Sequence, residues 1–265
     1  MQERHLDKDI YFQEQEYTTK KHVIPFINNF IVINKDLHVL EIGCGEAGNL
    51  KPFLDIGCNS IGVDLNNEKV HYAKEYFSKH PNNNLLELVV EDIYNLVDKF
   101  NGKFDLIILR DVIEHIHNQE KFLICLKTLL KPEGKIFFGF PPWQNPFGGH
   151  QQICRSKILS KTPYFHLLPK IFYSTILKIF GESKNTIDDL MEIKDTGISI
   201  DRFERILKKE SWKIDKKTFY FINPNYEIKF KLKPRESFSF IAKTPILRNF
   251  FITACYYLIS KKTNN

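Results

Sequence analysis

A chain of 265 residues is long enough for one sizeable domain with an insertion or a small cap. Its composition, with 43% hydrophobic and 26% charged residues, is typical of globular proteins, and no apolar run approaches the roughly 20 residues that span a bilayer. The net charge of +6 argues against a dedicated nucleic-acid binder, and five cysteines without a C-x-x-C pair argue against a zinc knuckle or a disulfide framework.

The chain begins with a polar segment of mixed charge. It lacks the apolar centre of a secretion signal and the arginine-rich character of a transit peptide, so we expect a cytoplasmic protein. Apolar runs then predict strands at residues 38–42, 60–65, 86–92, 104–111 and 134–140. The segments between them carry apolar residues at three- and four-residue spacing, as amphipathic helices do. This alternation predicts a parallel sheet with helices on both faces.

The pattern changes after the fifth predicted strand. Residues 141–200 contain two consecutive prolines, a Gly-Gly pair and a long apolar stretch, which together predict an inserted cap. A helix is predicted near residues 200–209. Two segments rich in aromatic and β-branched residues, 211–222 and 248–262, predict two closing strands.

The turn after the first predicted strand has the sequence VLEIGCGEAGNL. Gly43, Gly45 and Gly48 fit the G-x-G-x-x-G spacing of a nucleotide-binding turn, which by itself does not identify the ligand. A nicotinamide dehydrogenase would bind a pyrophosphate at the following helix start, where Glu46 would repel it. Glu41, before the turn, suits a ligand with a positive charge, such as an ammonium or a sulfonium group. The turn therefore favours S-adenosyl-L-methionine over a dinucleotide.

Two later strand ends predict a pocket for adenosine. Asp64, followed by Leu65, ends the second strand, where a carboxylate can accept hydrogen bonds from both ribose hydroxyl groups. A dehydrogenase would place an acid there too, so this residue does not discriminate. Asp92, followed by Ile93, ends the third strand, where a carboxylate can accept from the adenine amino group.

These segments resemble the class I S-adenosylmethionine-dependent methyltransferases, in the branch related to small-molecule and quinone O-methyltransferases. The resemblance is close over residues 37–141 and weak over 142–200, where acceptor specificity should reside. It implies an α/β fold with a Rossmann-like, seven-stranded, mostly parallel sheet, an antiparallel last strand and an inserted helical cap. The expected parts are an N-terminal helical lid (1–36), a cofactor-binding core (37–140), a substrate cap (141–200) and a closing part of the core (201–265). The segments that carry the resemblance are VLEIGCGEAGNL, IGVDLN, VEDI, FDLIILRDVIEHI and LLKPEGKIFFGFPP.

The resemblance implies a site for S-adenosyl-L-methionine, with S-adenosyl-L-homocysteine as the product. Glu41 and the first two glycines would border the methionine moiety, while an acid binds the ribose and another the adenine. Arg110 would neutralise the methionine carboxylate or an acidic acceptor; pairing with Asp111 or Glu114 is the alternative. The predicted cofactor-binding residues are Glu41, Gly43, Cys44, Gly45, Gly48, Asp64, Leu65, Asp92, Ile93 and Arg110.

The segment before the first strand folds over the cofactor in this family. Tyr11, Tyr17 and Thr18 are therefore candidate lid contacts, with a solvated helix start as the alternative.

A hydroxyl acceptor must lose its proton to receive a methyl group, and histidine is the natural base near neutral pH. His150 follows the fifth strand, and the Gly-Gly pair before it permits a turn that aims it inward. Its alternative is a loop histidine that bonds a neighbouring glutamine. His115, at the helix start after the fourth strand, is the second candidate base, with a structural or cofactor-adjacent role as the alternative. No metal constellation is visible, so metal independence is predicted.

The predicted cap is both basic and apolar. Residues 141–181 contain five lysine or arginine residues and no acidic one, among several aromatics. This mixture suits an aromatic acid, a phosphate-bearing molecule, or a lipid-linked substrate at an anionic membrane; a packed lid with solvated lysines is the alternative. A lysine-rich segment at 208–235 is explained by a solvated strand as well as by nucleic acid, which we disfavour.

The sequence thus predicts O-methylation of a small-molecule, glycan or lipid-linked acceptor by a monomer or homodimer, with peripheral contact to an anionic membrane as a further candidate. An N- or C-methyltransferase, an inactive cofactor-binding protein and a nicotinamide dehydrogenase are the alternatives.

Overall fold

The computed structural model describes residues 8–262, and its strands form a single eight-stranded sheet. In chain order the strands are β1 (His38–Ile42), β2 (Asn59–Asp64), β3 (Leu86–Val90), β4 (Phe104–Arg110), β5 (Leu130–Phe140), β6 (Trp212–Ile222), β7 (Arg235–Glu236) and β8 (Ala254–Lys261). Their order across the sheet is β3-β2-β1-β4-β5-β8-β6-β7.

The first five strands pair in parallel, whereas β8 lies antiparallel to both β5 and β6. The mostly parallel sheet with a reversed last strand is therefore confirmed. The predicted number of seven strands is wrong by one. The additional strand, β7, has two residues that pair with the outer edge of β6, and so short a strand leaves no periodic pattern in the sequence.

Helices connect the strands and build the segments on either side of the core. They are α1 (Lys8–Thr18), α2 (Ile24–Ile27), α3 (Lys51–Ile56), α4 (Asn67–Phe77), α5 (Val97–Phe100), α6 (Gln119–Leu129), α7 (Lys170–Ile179), α8 (Lys184–Thr196), α9 (Ile200–Lys209), α10 (Asn225–Phe230), α11 (Ser239–Lys243) and α12 (Arg248–Phe251). A π-helical turn, Thr19–Val23, joins α1 to α2.

The last predicted strand begins later than the sequence pattern indicated. Residues 248–251 form the short helix α12 instead of the start of β8. The cause is Arg248, which is buried and whose guanidinium group binds the carboxylates of Asp201 and Glu204 on α9, both at 2.8 Å. An arginine held in this way fixes the local chain direction before the strand starts.

Apolar side chains cover both faces of the sheet. Along β4, Ile107 and Leu109 belong to the core on one face, while Leu106 and Ile108 belong to the core on the other. This alternation follows from the two-residue period of a strand. The cap has a small core of its own, in which α7 packs against α8. Across residues 8–262, no helix combines the length and the apolar character that crossing a membrane requires. The division of the chain into lid, core, cap and closing part stays a proposal.

Candidate functional site

A cavity of about 410 Å³ lies at the carboxyl ends of β1, β2, β3 and β4. The sequence-predicted residues that line it are Gly43, Asp64, Leu65, Asp92, Ile93 and the candidate base His115. Sequence reasoning missed Tyr94, Asn118 and Phe122, which border the same space. The signal for Asn118 was its position as the residue that caps α6, where its side chain accepts from the amide of Lys121.

The first two glycines shape the turn that closes this cavity. Gly43 and Gly45 both have a positive φ, of 70° and 53°, which side chains rarely adopt. A Cβ atom on Gly43 would also lie 2.6 Å from a methyl group of Val112. The turn therefore requires glycine at these two positions.

Asp64 is held in place by the glycine turn. Its carboxylate accepts the amide of Gly45 at 2.7 Å and the amide of Asn66 at 2.8 Å, one on each oxygen. Each carboxylate oxygen can accept a second hydrogen bond. Asp64 is therefore oriented toward the cavity with capacity left for two hydroxyl groups.

Asp92 and Ile93 lie on the far side of the same cavity. One carboxylate oxygen of Asp92 caps a short 3-10 turn by accepting the amide of Tyr94 at 2.9 Å. Ile93 is buried and contributes an apolar wall. The pair combines an acceptor with a flat apolar surface, as an adenine ring requires.

Two residues of the predicted cofactor set contribute differently from what the sequence indicated. Gly48 packs against α1: a Cβ atom there would lie 2.5 Å from the carbonyl oxygen of Phe12, and its amide donates to Gln15. The Cys44 side chain is fully buried in the core beside Gly62. Neither residue lines the cavity, because Gly48 lies against α1 and the side chain of Cys44 packs in the core.

Glu41, in β1, does not line this cavity. Its side chain is buried and accepts a hydrogen bond from Asn49 at 2.5 Å. Burial raises the pKa of its carboxyl group to about 8, against smaller opposing effects from Asn49 and the nearby Arg110. A contact between Glu41 and the positive charge of a ligand stays a prediction; within the protein, Glu41 holds Asn49, the side chain that binds Arg110.

We expect Glu41→Gln to remove a pH dependence of stability. The pKa of Glu41 is higher in the folded protein than in the unfolded chain. Glu41 therefore leaves the free energy of unfolding of wild type unchanged below about pH 4.5 and lowers it as the pH rises toward 8. The free energy of unfolding of the variant, relative to wild type, should rise by roughly 1 kcal/mol per pH unit over that interval. Denaturant unfolding between pH 5 and pH 8 measures it, with Glu133→Gln as an exposed control. Parallel curves for wild type and Glu41→Gln would contradict the assignment.

Arg110 lies at the end of β4 and is buried. Its guanidinium group donates to Asn49 and Asn225, both at 2.5 Å, and more weakly to Thr19. These acceptors are neutral, and no carboxylate among residues 8–262 forms a salt bridge with Arg110. The two pairings considered from the sequence, with Asp111 or with Glu114, are therefore not formed.

The Arg110 guanidinium borders a small polar cavity of about 30 Å³. Asp111 lines the same space, so a cation and a carboxylate both border this cavity without forming a salt bridge. Tyr11, one of the three lid candidates, also lines it, whereas Tyr17 and Thr18 line none of the cavities described here. Of the three predicted lid contacts, Tyr11 therefore lies at a cavity, and Tyr17 and Thr18 lie elsewhere on α1.

A larger cavity of about 580 Å³ adjoins the small one. Its walls include Phe147 and His150 from the loop after β5, Lys161 from the cap, and Tyr226 and Phe230 from α10. Sequence reasoning missed the contribution of α10. The signal in the sequence was Asn-Pro-Asn at residues 223–225, a turn combination whose last residue begins α10.

The two candidate bases meet between the cavities. His115 lines the cavity that contains Asp64, and His150 lines the larger one. Their ring centroids lie 5.1 Å apart at an interplanar angle of 73°. The surrounding protein withdraws water from His115 and lowers its pKa, with a smaller opposing effect from Asp111. The neutral form of His115 is therefore favoured near neutral pH.

His150 reaches this position through its own backbone. It adopts a left-handed conformation with a φ of 55°, which histidine tolerates better than most residues. The expected role of the Gly-Gly pair is wrong, since neither glycine has a positive φ. Gly148 and Gly149 instead permit close packing: Cβ atoms there would lie 2.2 Å from the carbonyl oxygen of Trp143 and from Cβ of His166.

Glu114 lies buried behind the histidine pair. Neither of its carboxyl oxygens bonds another described residue, and burial raises the pKa of this group well above its usual range. Potential ligand atoms of Glu114, His115 and His150 lie within 4.8 Å of one another, close enough to hold a cation. The sequence did not reveal this grouping, because 35 residues separate the histidines. Metal independence stays a prediction, to be tested with the function.

Comparisons with known proteins identify the family of this chain. A family model described as "Methyltransferase domain" matches residues 12–147, just over half of the chain. The human mitochondrial ubiquinone biosynthesis O-methyltransferase is 29% identical over 102 residues, which cover 38% of this chain and 28% of that protein. The corresponding protein of Coxiella burnetii is 28% identical over 104 residues, or 39% of this chain and 43% of that one. The matched segments thus span less than half of either relative.

Solved methyltransferase structures share the fold at low identity. Geranyl diphosphate C-methyltransferase from Streptomyces coelicolor A3(2) has a TM-score of 0.54 and 12% identity, covering 91% of this chain and 80% of that one. Phosphoethanolamine N-methyltransferase 2 of Haemonchus contortus has a TM-score of 0.57 and 15% identity, covering 97% and 58%. Together with the shape of the glycine turn, the family match shows that the chain belongs to the methyltransferase-domain family, and these solved structures share its fold.

Proposed function

We propose that this methyltransferase transfers a methyl group to an oxygen atom of a small-molecule, glycan or lipid-linked acceptor, with His150 as the base. The observation that carries the proposal is the contact between His115, which lines the cavity that contains Asp64, and His150, which lines the cavity of about 580 Å³. A base at that contact can reach an acceptor in one cavity beside a methyl donor that extends from the other.

The adenosine part of the cofactor fits the cavity that contains Asp64. Asp64 would accept from the ribose hydroxyl groups, and Asp92 with Ile93 would hold the adenine. The small polar cavity that adjoins the cavity of about 580 Å³ presents Arg110 and Asp111, which complement a carboxylate and an ammonium group. The methionine end carries both groups, and its carboxylate would bind Arg110 at the edge of this cavity, which at about 30 Å³ is itself too small for the whole moiety. Asp111 has a positive φ of 54°, a strained backbone of the kind that clusters at ligand sites.

The acceptor reaction needs alignment and removal of one proton. When bound, S-adenosyl-L-methionine supplies the methyl group, so no protein nucleophile is required. His150 would take the proton of the acceptor hydroxyl group, and His115 would hold the His150 ring in a fixed orientation. The walls formed by Phe147, Tyr226 and Phe230 would exclude water from the reacting oxygen and align it.

The cavity of about 580 Å³, here called the acceptor cavity, suits a mainly apolar acceptor with an anionic group. Its aromatic walls suit a ring or a hydrocarbon chain. Lys161 lines the cavity from the cap and forms no salt bridge with any described residue. Lys229 also lines it but lies 3.4 Å from the carboxylate of Glu14, which offsets its charge. Lys161 would therefore bind the anionic group. A monomeric or homodimeric state and peripheral contact with an anionic membrane stay predictions.

The test is transfer of a deuterated methyl group from labelled S-adenosyl-L-methionine to small molecules and lipids extracted from the cells that make the protein. We expect a product whose label is an ether or ester methyl group on oxygen, with equal yield in the presence of EDTA. Mass spectrometry and NMR locate the label. A label on nitrogen or carbon would contradict the oxygen acceptor. Loss of activity in EDTA that Mg²⁺ or Zn²⁺ restores would contradict metal independence and make the group of Glu114, His115 and His150 the candidate metal site.

A further inference from the structure

The stretch of chain from residue 230 to residue 251, here called the C-terminal platform, has an exposed surface rich in large apolar side chains. Three of them are more than half exposed: Phe238 (51%), Phe240 (69%) and Ile246 (71%). The rings of Phe238 and Phe240 stack on each other with centroids 5.9 Å apart. The other exposed apolar residues of the platform are Phe230, Leu232, Leu247 and Phe251. A monomer rarely exposes such a surface unless something binds it.

Positive charge surrounds these apolar side chains. Lys231, Lys233, Arg235 and Lys243 are exposed, and none forms a salt bridge with a residue in the described part of the chain. The platform sequence contains one acidic residue, Glu236. Its exposed charge is therefore positive, which complements an anionic surface.

The platform adjoins the mouth of the acceptor cavity. Phe230 and Leu232 line that cavity and are also about half exposed, so the apolar lining continues onto the outer surface. On the cap side, the hydroxyl of Tyr164 donates to the carbonyl oxygen of Phe250 at 3.1 Å. That contact brings the platform next to the cap segment that contributes Lys161.

We propose that the C-terminal platform docks on the surface of an anionic lipid bilayer and opens the acceptor cavity toward the lipid. Exposed aromatic and aliphatic side chains insert at the acyl boundary, while lysine and arginine are attracted to anionic headgroups. The docking stands on the platform alone; delivery of an acceptor from the lipid phase rests on the proposed function.

The same observations disfavour the other occupants. A second copy placed symmetrically on the platform would bring like charges together, which costs free energy. Single-stranded nucleic acid binds through stacking on aromatic rings, but the aliphatic side chains of Leu232, Ile246 and Leu247 offer no stacking face. The cap helix α7 also exposes Ile171 and Phe172, but neither residue lines the acceptor cavity.

The apolar part of the proposal is tested by co-sedimentation with phosphatidylglycerol–phosphatidylcholine vesicles and with phosphatidylcholine vesicles alone. We expect salt-sensitive binding to the anionic vesicles only. The triple variant Phe238→Ser, Phe240→Ser, Ile246→Ser should bind at least about tenfold more weakly, because three side chains no longer insert. Ile171→Ser, Phe172→Ser on α7 is the matched control and should bind as wild type does.

The charged part is tested with Lys233→Gln, Arg235→Gln, Lys243→Gln. Removing three cations should weaken binding to the anionic vesicles about 10- to 100-fold. The control removes three exposed lysines that lie outside the platform, and it should bind the vesicles unchanged. That control is Lys74→Gln, Lys79→Gln, Lys103→Gln.

Three results would overturn the proposal: no salt-sensitive binding of wild type, loss of binding by the α7 variant but not by the platform variants, or displacement of the vesicles by a single-stranded oligonucleotide. Melting temperature and binding of S-adenosyl-L-homocysteine should equal wild type in every variant, because none of the substituted residues lines a cavity of the site. Methyl transfer is not the readout, so an error in the proposed function would leave the vesicle result intact.

Discussion

His150→Ala should lower kcat by about 10²- to 10⁴-fold, the usual contribution of a general base. Binding of S-adenosyl-L-homocysteine should be unchanged, because His150 lines the acceptor cavity and not the cavity that contains Asp64. The rate should also lose the part of its pH dependence that reports deprotonation of the base. Single-turnover methyl transfer measured from pH 5 to pH 9 separates these effects.

Two further variants test whether the lower rate of His150→Ala results from removal of the base. His115→Ala should lower the rate less than His150→Ala, since the ring of His115 supports His150 from the cofactor side. His71→Ala, on the outer surface of α4, should have the wild-type rate. A His150→Ala protein that binds the cofactor and methylates its acceptor at the full rate would remove His150 as the base.

Asp64→Ala should weaken binding of S-adenosyl-L-homocysteine by about 10²-fold or more. Hydrogen bonds to a charged group contribute about 1.5–3 kcal/mol each, and the carboxylate has capacity for two ribose hydroxyl groups. The substitution also removes the acceptor for the amide of Gly45, so the glycine turn loses a contact that holds its shape. Isothermal titration calorimetry measures the change in the dissociation constant.

Asp64→Asn separates the two contributions. The amide oxygen can still accept from the turn, but the side chain carries no charge and one of its two polar atoms now donates. We expect an intermediate affinity. Asp98→Ala, an exposed carboxylate on α5, is the matched control. Wild-type affinity in Asp64→Ala would mean that the ribose does not bind at this strand end.

The sequence predicts the cofactor side of the protein well, because that side depends on local patterns. Strand β1 begins and ends at the predicted residues, and the positive φ angles of Gly43 and Gly45 are those that the glycine spacing requires. Asp64 and Asp92 follow directly from the ends of predicted strands in a parallel sheet. At each of these positions the neighbouring residues determine where the side chain lies.

The acceptor side depends on contacts between distant parts of the chain. Asn225 reaches Arg110 from α10, 115 residues later in the chain, and no local pattern announces that contact. The burial of a side chain also depends on distant segments. Glu41 and Glu114 look like available carboxylates in the sequence, but the segments that cover them raise the pKa of both. Gly149 looks like a flexible turn residue, yet its role is to leave room for His166.

In the proposed site one cavity binds the cofactor, while the cavity lined by His150 holds the acceptor. Titration of wild type, Asp64→Ala and His150→Ala with S-adenosyl-L-homocysteine distinguishes the two cavities, with NADH as the competing ligand. We expect tight binding to wild type and His150→Ala, weak binding to Asp64→Ala, and no competition by NADH. Equal loss of affinity in both variants would contradict the separation of the two cavities, and displacement by NADH would contradict the assignment of the cofactor.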